Sequence, residues 1–207
     1  MLDPVYLYAD RVRSTDGDGL PYGEFADGSA SALSGNLLAV GGTASGLSGL
    51  GRTLTASALL RGWQVAVIAP ALHGHDFLDF SDRVRLARTG DEAIELVEQL
   101  VQQLTHRQRL ALLQTSPPEP LLVVVDDADI LDQHADAGLE RLLADGPEFG
   151  VMLAVLAHGR GSRLDGVRDA ETVTLTGRGV ATVEGRAARI WYSPMPGFGP
   201  SIGTGPA

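Results

Sequence analysis

An apolar run, Leu37-Leu38-Ala39-Val40, enters a glycine- and serine-rich stretch from Gly41 to Thr53. The spacing after it predicts a helix over 50–61, stopped by Gly62, and then a second apolar strand, Val65–Ala69, stopped by Pro70. Strand, glycine loop, helix and strand in that order form a βαβ unit, and a βαβ unit implies a parallel sheet. Leu121–Val125 and Val151–Ala157 are continuous apolar runs, as expected of strands buried on both faces of such a sheet. Ile94, Val97, Val101 and Leu104 recur at helical spacing within 91–113, and 137–144 reads as a further helix. The fold class is therefore α/β, a mainly parallel sheet flanked by helices, closed by short strands over 171–176, 179–184 and 188–192 with a turn at Gly185-Arg186. Residues 4–9 read as a strand and 13–35 as a connecting loop with room for one short strand. Residues 1–192 are expected to make one domain and 193–207 a flexible Gly/Pro-rich tail.

The loop Gly41-Gly42-Thr43-Ala44-Ser45-Gly46-Leu47-Ser48 fits the phosphate-binding frame GxxxxGK[ST] except at Leu47. In that frame backbone N–H groups cradle phosphates, the lysine reaches the β- and γ-phosphates, and the hydroxyl holds Mg²⁺. All sixteen basic residues of the chain are arginine, so no lysine elsewhere in it supplies the missing amine. Arg52, one turn into the helix, is the candidate replacement charge, although its fork differs from an ammonium. A second register, Gly46 to Thr53, places Arg52-Thr53 at the end of the frame, but it starts late relative to the strand and shortens the helix. Two other readings stand beside these. One is a turn that binds nothing. The other is a dinucleotide-binding loop, suggested by Ser48-Gly49-Leu50-Gly51-Arg52 but lacking an acidic residue after Val65–Ala69.

Leu121–Val125 runs into Asp126-Asp127, the Walker B arrangement of an apolar strand ended by acids. Asp126 is placed to hold Mg²⁺ together with Ser48, and Asp127 to orient the attacking water. Asp127 is one methylene shorter than the glutamate usual there, which weakens it as a base. Acids that merely cap a loop are the alternative. The two motifs together, in this order, are more specific than either alone.

The segment 121–160, with its apolar strand, Asp126-Asp127, a helix and a further strand, resembles the FtsK/SpoIIIE family of motors. In particular it resembles the serial ATPase domains of EccC/EssC-type proteins of type VII secretion. Residues 37–48 resemble that family's phosphate-loop strand, 61–70 its next strand, and 176–192 its closing hairpin. Leu47, Asp127 and His158-Gly159-Arg160 depart from its pattern, and Arg160 stands where a sensor arginine is expected. The resemblance implies a degenerate nucleotide-binding domain with ATP and Mg²⁺ as cofactors, little or no hydrolysis, and a regulatory or substrate-recognition role in protein secretion. It implies neighbouring ATPase domains or a secretion-substrate peptide as partners, a cytoplasmic setting, and contact with the membrane only through a larger assembly. The alternative is a pseudo-ATPase interaction module, in which Leu47 makes the phosphate pocket more apolar. A net charge of −10 with no basic stripe argues against nucleic acid, and no apolar run approaches the ~20 residues that span a bilayer. His73-Gly74-His75-Asp76 carries metal-type side chains but reads as a solvent loop.

Overall fold

The computed structural model describes residues 9–15, 17, 19–42, 44–70, 72–114, 118–126, 133–158, 170–177 and 179–191; the side chains of 9, 72–75 and 133–136 are not described. In chain order these residues form α1 (Ala9–Ser14), β1 (Leu20–Phe25), β2 (Ala30–Leu33), β3 (Leu37–Gly41), α2 (Leu47–Leu60), β4 (Gln64–Ile68) and a 3-10 segment (Leu72–Phe80). There follow β5 (Arg85–Ala87), α3 (Gly90–Leu112), β6 (Leu121–Val125), α4 (Gln133–Asp145), β7 (Val151–Ala157), β8 (Glu171–Gly177), β9 (Val180–Val183) and β10 (Arg186–Ile190).

Among the described residues ten strands make one sheet, in the order β2-β1-β10-β9-β8-β3-β7-β6-β4-β5. From β8 to β5 every neighbouring pair is parallel; from β2 to β8 every pair is antiparallel. The parallel half is buried on both faces, so all five residues of β6 are inaccessible and its sequence is an unbroken apolar run. One face packs Val65, Val67, Leu122, Val124 and Leu156 against α2; the other packs Ile68, Val123 and Leu153 with α3 and α4. Helix α3 starts where Thr89 and Glu92 form a capping box, each side chain closing on the other's backbone N–H.

The antiparallel half wraps α2. Thr53 Oγ1 donates to the Trp191 carbonyl (2.7 Å) and Ser57 Oγ to the Pro21 carbonyl (2.6 Å), which ties the neighbouring strands β10 and β1 to one helix. This half differs most from expectation. The stretch read as a loop contains two paired strands, β1 and β2. Pro21 and Gly23 disguise β1, and a register shift between them in the β1–β2 ladder accommodates a residue that cannot donate. Residues 4–8 lie outside the described residues, and Ala9 begins a helix. Arg83, Arg85 and Arg88 flank or lie on edge strand β5, where Arg85 donates to Gln103 (2.9 Å) and burial lowers its pKa. The hairpin turn is Glu184-Gly185, both at positive φ (48° and 80°), one residue earlier than the spacing suggested.

Tyr22, fully buried on β1, donates its hydroxyl to Glu171 at the start of β8. Burial first, and then the Glu171 charge, raise the tyrosine pKa. Burial also raises the Glu171 pKa above its ordinary 4.5, against the lowering effect of the Tyr22 hydrogen bond. The folded state therefore holds the Glu171 proton more tightly than the unfolded chain. That contribution to stability is complete below pH 4.5 and is lost as pH rises through the raised value. Glu171→Gln removes this dependence. Thermal unfolding of the wild type, compared with that variant between pH 4 and 7, is expected to show the wild type losing stability relative to it as pH rises.

Candidate functional site

All parallel strands end at the same edge of the sheet. The pairs Val40–Ala157 and Val125–Val155 set the levels: Gly41 lies beside His158, and Asp126 lies beside Leu156, two rungs or ~7 Å lower. Side chains alternate along each strand. Ala39, Val124 and Leu156 face α2, so Gly41, Asp126 and His158 face α2 as well. The N-terminus of α2 stands at this edge, directly after β3. In open α/β sheets, ligands bind outside the carboxyl ends of the strands, where successive connections diverge.

The loop between β3 and α2 turns through Ala44 (φ 59°) and Gly46 (φ 101°). The second value is costly for any residue with a Cβ. Helix α2 then begins at Leu47, three residues earlier than its spacing indicated. No side chain caps it, and no acid lies in its first turn. Its leading N–H groups are thus left to a ligand or to water, and the positive end of the helix dipole favours an anion there. A Cβ on Gly41 would collide with Ser45 Oγ, so the loop closes tightly on the strand end. Ser45 N–H donates to the Gly42 carbonyl (3.0 Å), and Ser45 Oγ is buried with no hydrogen-bond partner among the described residues.

Leu47, at the lysine position, is 2% exposed and belongs to the core cluster on the α2 face. Ser48 is half-buried in the first turn. Arg52 does not offer a spare charge. Both its Nη atoms bond the Asp79 carboxylate (2.6 Å each), Nη1 also donates to the Asp76 carbonyl, and the guanidinium lies 5.0 Å from the Phe80 ring centre. Its side chain is 3% exposed. Arg52 clamps the 3-10 segment onto α2. Asp79, twenty-seven residues away, carries no motif that would have marked it as the partner.

Asp126 is fully buried, with its N–H on the Ile68 carbonyl (2.8 Å). Thr43, Asp127 and Arg160 lie outside the described residues, as do the side chains of His73 and His75. Among the described residues no group of three His, Asp or Glu is arranged to hold a metal. The backbone cradle, Ser48 and Asp126 are compatible with a phosphate and its Mg²⁺. Among the described residues the lysine contact to the γ-phosphate has no equivalent.

Two strands, β7 and β6, separate β3 from β4. In the dinucleotide fold the corresponding strands are neighbours, so that alternative is excluded by topology. The cytoplasmic domain of the type VII secretion ATPase EccC of Thermomonospora curvata superposes with a TM-score of 0.68 at 17% identity, over 94% of this chain and 29% of that one. ATPases 2 and 3 of the same EccC, in complex with a signal sequence peptide, superpose at 0.72 and 17% identity, over 94% of this chain and 44% of that one. The conjugation coupling protein TcpA of pCW3, solved with ATPγS, superposes at 0.72 and 13% identity, over 93% and 70%.

This chain has the fold of an FtsK/SpoIIIE-type ATPase domain.

It spans less than half the length of either EccC structure. No family profile matches its sequence, and no curated protein does. The glycine loop and the end of β6 lie at the same edge of the sheet. Among the described residues no helix is long and apolar enough to cross a membrane.

Proposed function

We propose that this FtsK/SpoIIIE-type domain binds ATP weakly or structurally, hydrolyses it slowly or not at all, and serves a regulatory or substrate-recognition role in protein secretion. The observation that carries this reading is Leu47. It replaces the lysine and is buried in the core, in a chain that has no lysine at all. The first-turn N–H groups of α2 would hold the phosphates, and Ser48 and Asp126 the Mg²⁺, whose contribution is charge neutralisation at the phosphate oxygens. Without the ammonium, charge developing on the γ-phosphate loses a main stabiliser. The EccC structure with a signal sequence peptide supports a peptide or a neighbouring ATPase domain as partner, and the cytoplasmic EccC domain supports a cytoplasmic setting.

Purified protein is expected to turn over ATP well below ~1 per second, the lower end for active phosphoryl-transfer enzymes. Mg-ATP at a hundred times its Kd should stabilise the fold by about 2.7 kcal/mol, seen as a higher melting temperature. Turnover at the level of an active enzyme overturns the proposal. A second reading, a pseudo-ATPase adaptor that binds no nucleotide, draws on the Ser45 N–H spent inside the loop. It requires no melting shift with Mg-ATP at any concentration.

A further inference from the structure

Among the described residues, the first N–H bonded along α2 is that of Leu50, which donates to the Gly46 carbonyl (2.9 Å). The N–H groups of Leu47, Ser48 and Gly49 precede it, at a helix end with no side-chain cap and no acid in its first turn. Any such end attracts anions. Ser45 adds an observation of a different kind. It is 6% exposed, and its N–H is taken by the Gly42 carbonyl (3.0 Å), yet its Oγ has no hydrogen-bond partner. The hydroxyl lies over Gly41, in the space that a Cβ there would fill. Gly41 faces α2, so the hydroxyl sits between the end of β3 and the first turn of the helix. Leu175 of β8 closes that space on one side: its Cβ is 3.3 Å from where a Gly41 Cβ would stand, and its Cδ2 is 3.7 Å from the same point on Gly46. Thr53 and Ser57, further along α2, each reach a backbone carbonyl (2.7 and 2.6 Å). A buried hydroxyl that reaches nothing costs stability until a partner arrives.

We propose that Ser45 Oγ is a ligand of the phosphoryl group held at the start of α2. The proposal rests on the reading that this loop binds phosphate, and it adds a side-chain donor to the backbone N–H groups. A phosphoryl group presents three acceptor oxygens, enough to meet the helix N–H groups and the hydroxyl from different sides. The hydroxyl then gains a charge-assisted hydrogen bond, stronger than a neutral one. Ser45 thus returns part of the hold that is lost with the lysine. It is neutral, so it returns little of the charge stabilisation that hydrolysis needs. Binding and turnover are separated by the same exchange of an ammonium for a hydroxyl. The contact is the same for the phosphate of a nucleotide and for free inorganic phosphate.

The test is the melting temperature of the full chain as Mg-ATP, and separately inorganic phosphate, is raised, for the wild type, Ser45→Ala and Ser57→Ala. Without ligand, Ser45→Ala should melt above the wild type, because it removes a buried hydroxyl that has no partner. It should also need roughly tenfold more ligand, or beyond, for the same rise over its own melting point, the usual cost of a lost hydrogen bond to a charged group. Ser57→Ala should do the reverse: it should melt below the wild type and keep the wild-type ligand response, because its hydroxyl bonds the Pro21 carbonyl. A Ser45-dependent response to inorganic phosphate alone supports the proposal with the phosphoryl group as the recognised unit. One seen only with Mg-ATP supports it with nucleotide as the source. Equal ligand response in the wild type and Ser45→Ala overturns the proposal and leaves the ATP reading standing. A Ser45→Ala chain that melts below the wild type also overturns it, since the hydroxyl would then have a partner in the empty loop. No response of the wild type to either ligand overturns it together with the ATP reading.

Discussion

Asp79→Asn is expected to destabilise the fold by about 3–5 kcal/mol, and Arg52→Met by somewhat less. Breaking a buried ion pair from one side leaves the other group desolvated and uncompensated, which is the costly half of such an interaction. The arginine is the more deeply buried partner (3% against 17% exposure), so losing its carboxylate costs more than losing the guanidinium. At roughly 2–4 °C per kcal/mol for a chain of this size, melting temperatures should fall by roughly 6–20 °C. The double variant Arg52→Met with Asp79→Leu should recover much of the loss, since an apolar pair of similar volume can replace a buried ion pair. The Mg-ATP stabilisation, measured relative to each variant's own melting point, should be unchanged. If Arg52→Met instead melted normally and lost its nucleotide response, the guanidinium would be a phosphate ligand and the clamp an incidental contact.

That prediction marks the limit of what the sequence alone could convey. Arg52 stands where a substitute charge would be sought, and its neighbours in the sequence do not contradict that role. Its true partner lies on the far side of β4, in a 3-10 segment with no periodic signature. The strands of the parallel half were legible because burial on both faces turns them into unbroken apolar runs, as in Leu121–Val125 and Val151–Ala157. The strands of the antiparallel half were less so. β1 contains a proline and a glycine, and its pairing with β10 joins segments more than 160 residues apart. The exception in the parallel half is edge strand β5, whose three residues are too few for any alternation to register. At the site, Leu47 and the acid pair could be read directly. The shared face of Asp126, His158 and Gly41 could not, because it depends on strand order and register as well as on alternation.

Leu47→Lys tests how much of the site remains once the missing side chain is supplied. The amine would enter a position that is 2% exposed, so the variant without nucleotide should lose about 3 kcal/mol, either as an unpaired buried group or through a lowered lysine pKa. With Mg-ATP the amine gains a phosphate partner, and its burial is compensated by charge-assisted hydrogen bonds. The melting shift on adding Mg-ATP should therefore exceed that of the wild type. Hydrolysis should stay well below ~1 per second, because Asp127 is a methylene short for the water that a glutamate would orient, and small misplacements cost large rate factors. Turnover at the level of an active enzyme would mean that Leu47 alone silences an otherwise complete site. A variant that is destabilised and gains nothing from Mg-ATP would mean that the cradle does not admit nucleotide even with its lysine restored. The Ser45–Gly42 closure of the loop would then be the resting form of an adaptor rather than of a weakened ATPase.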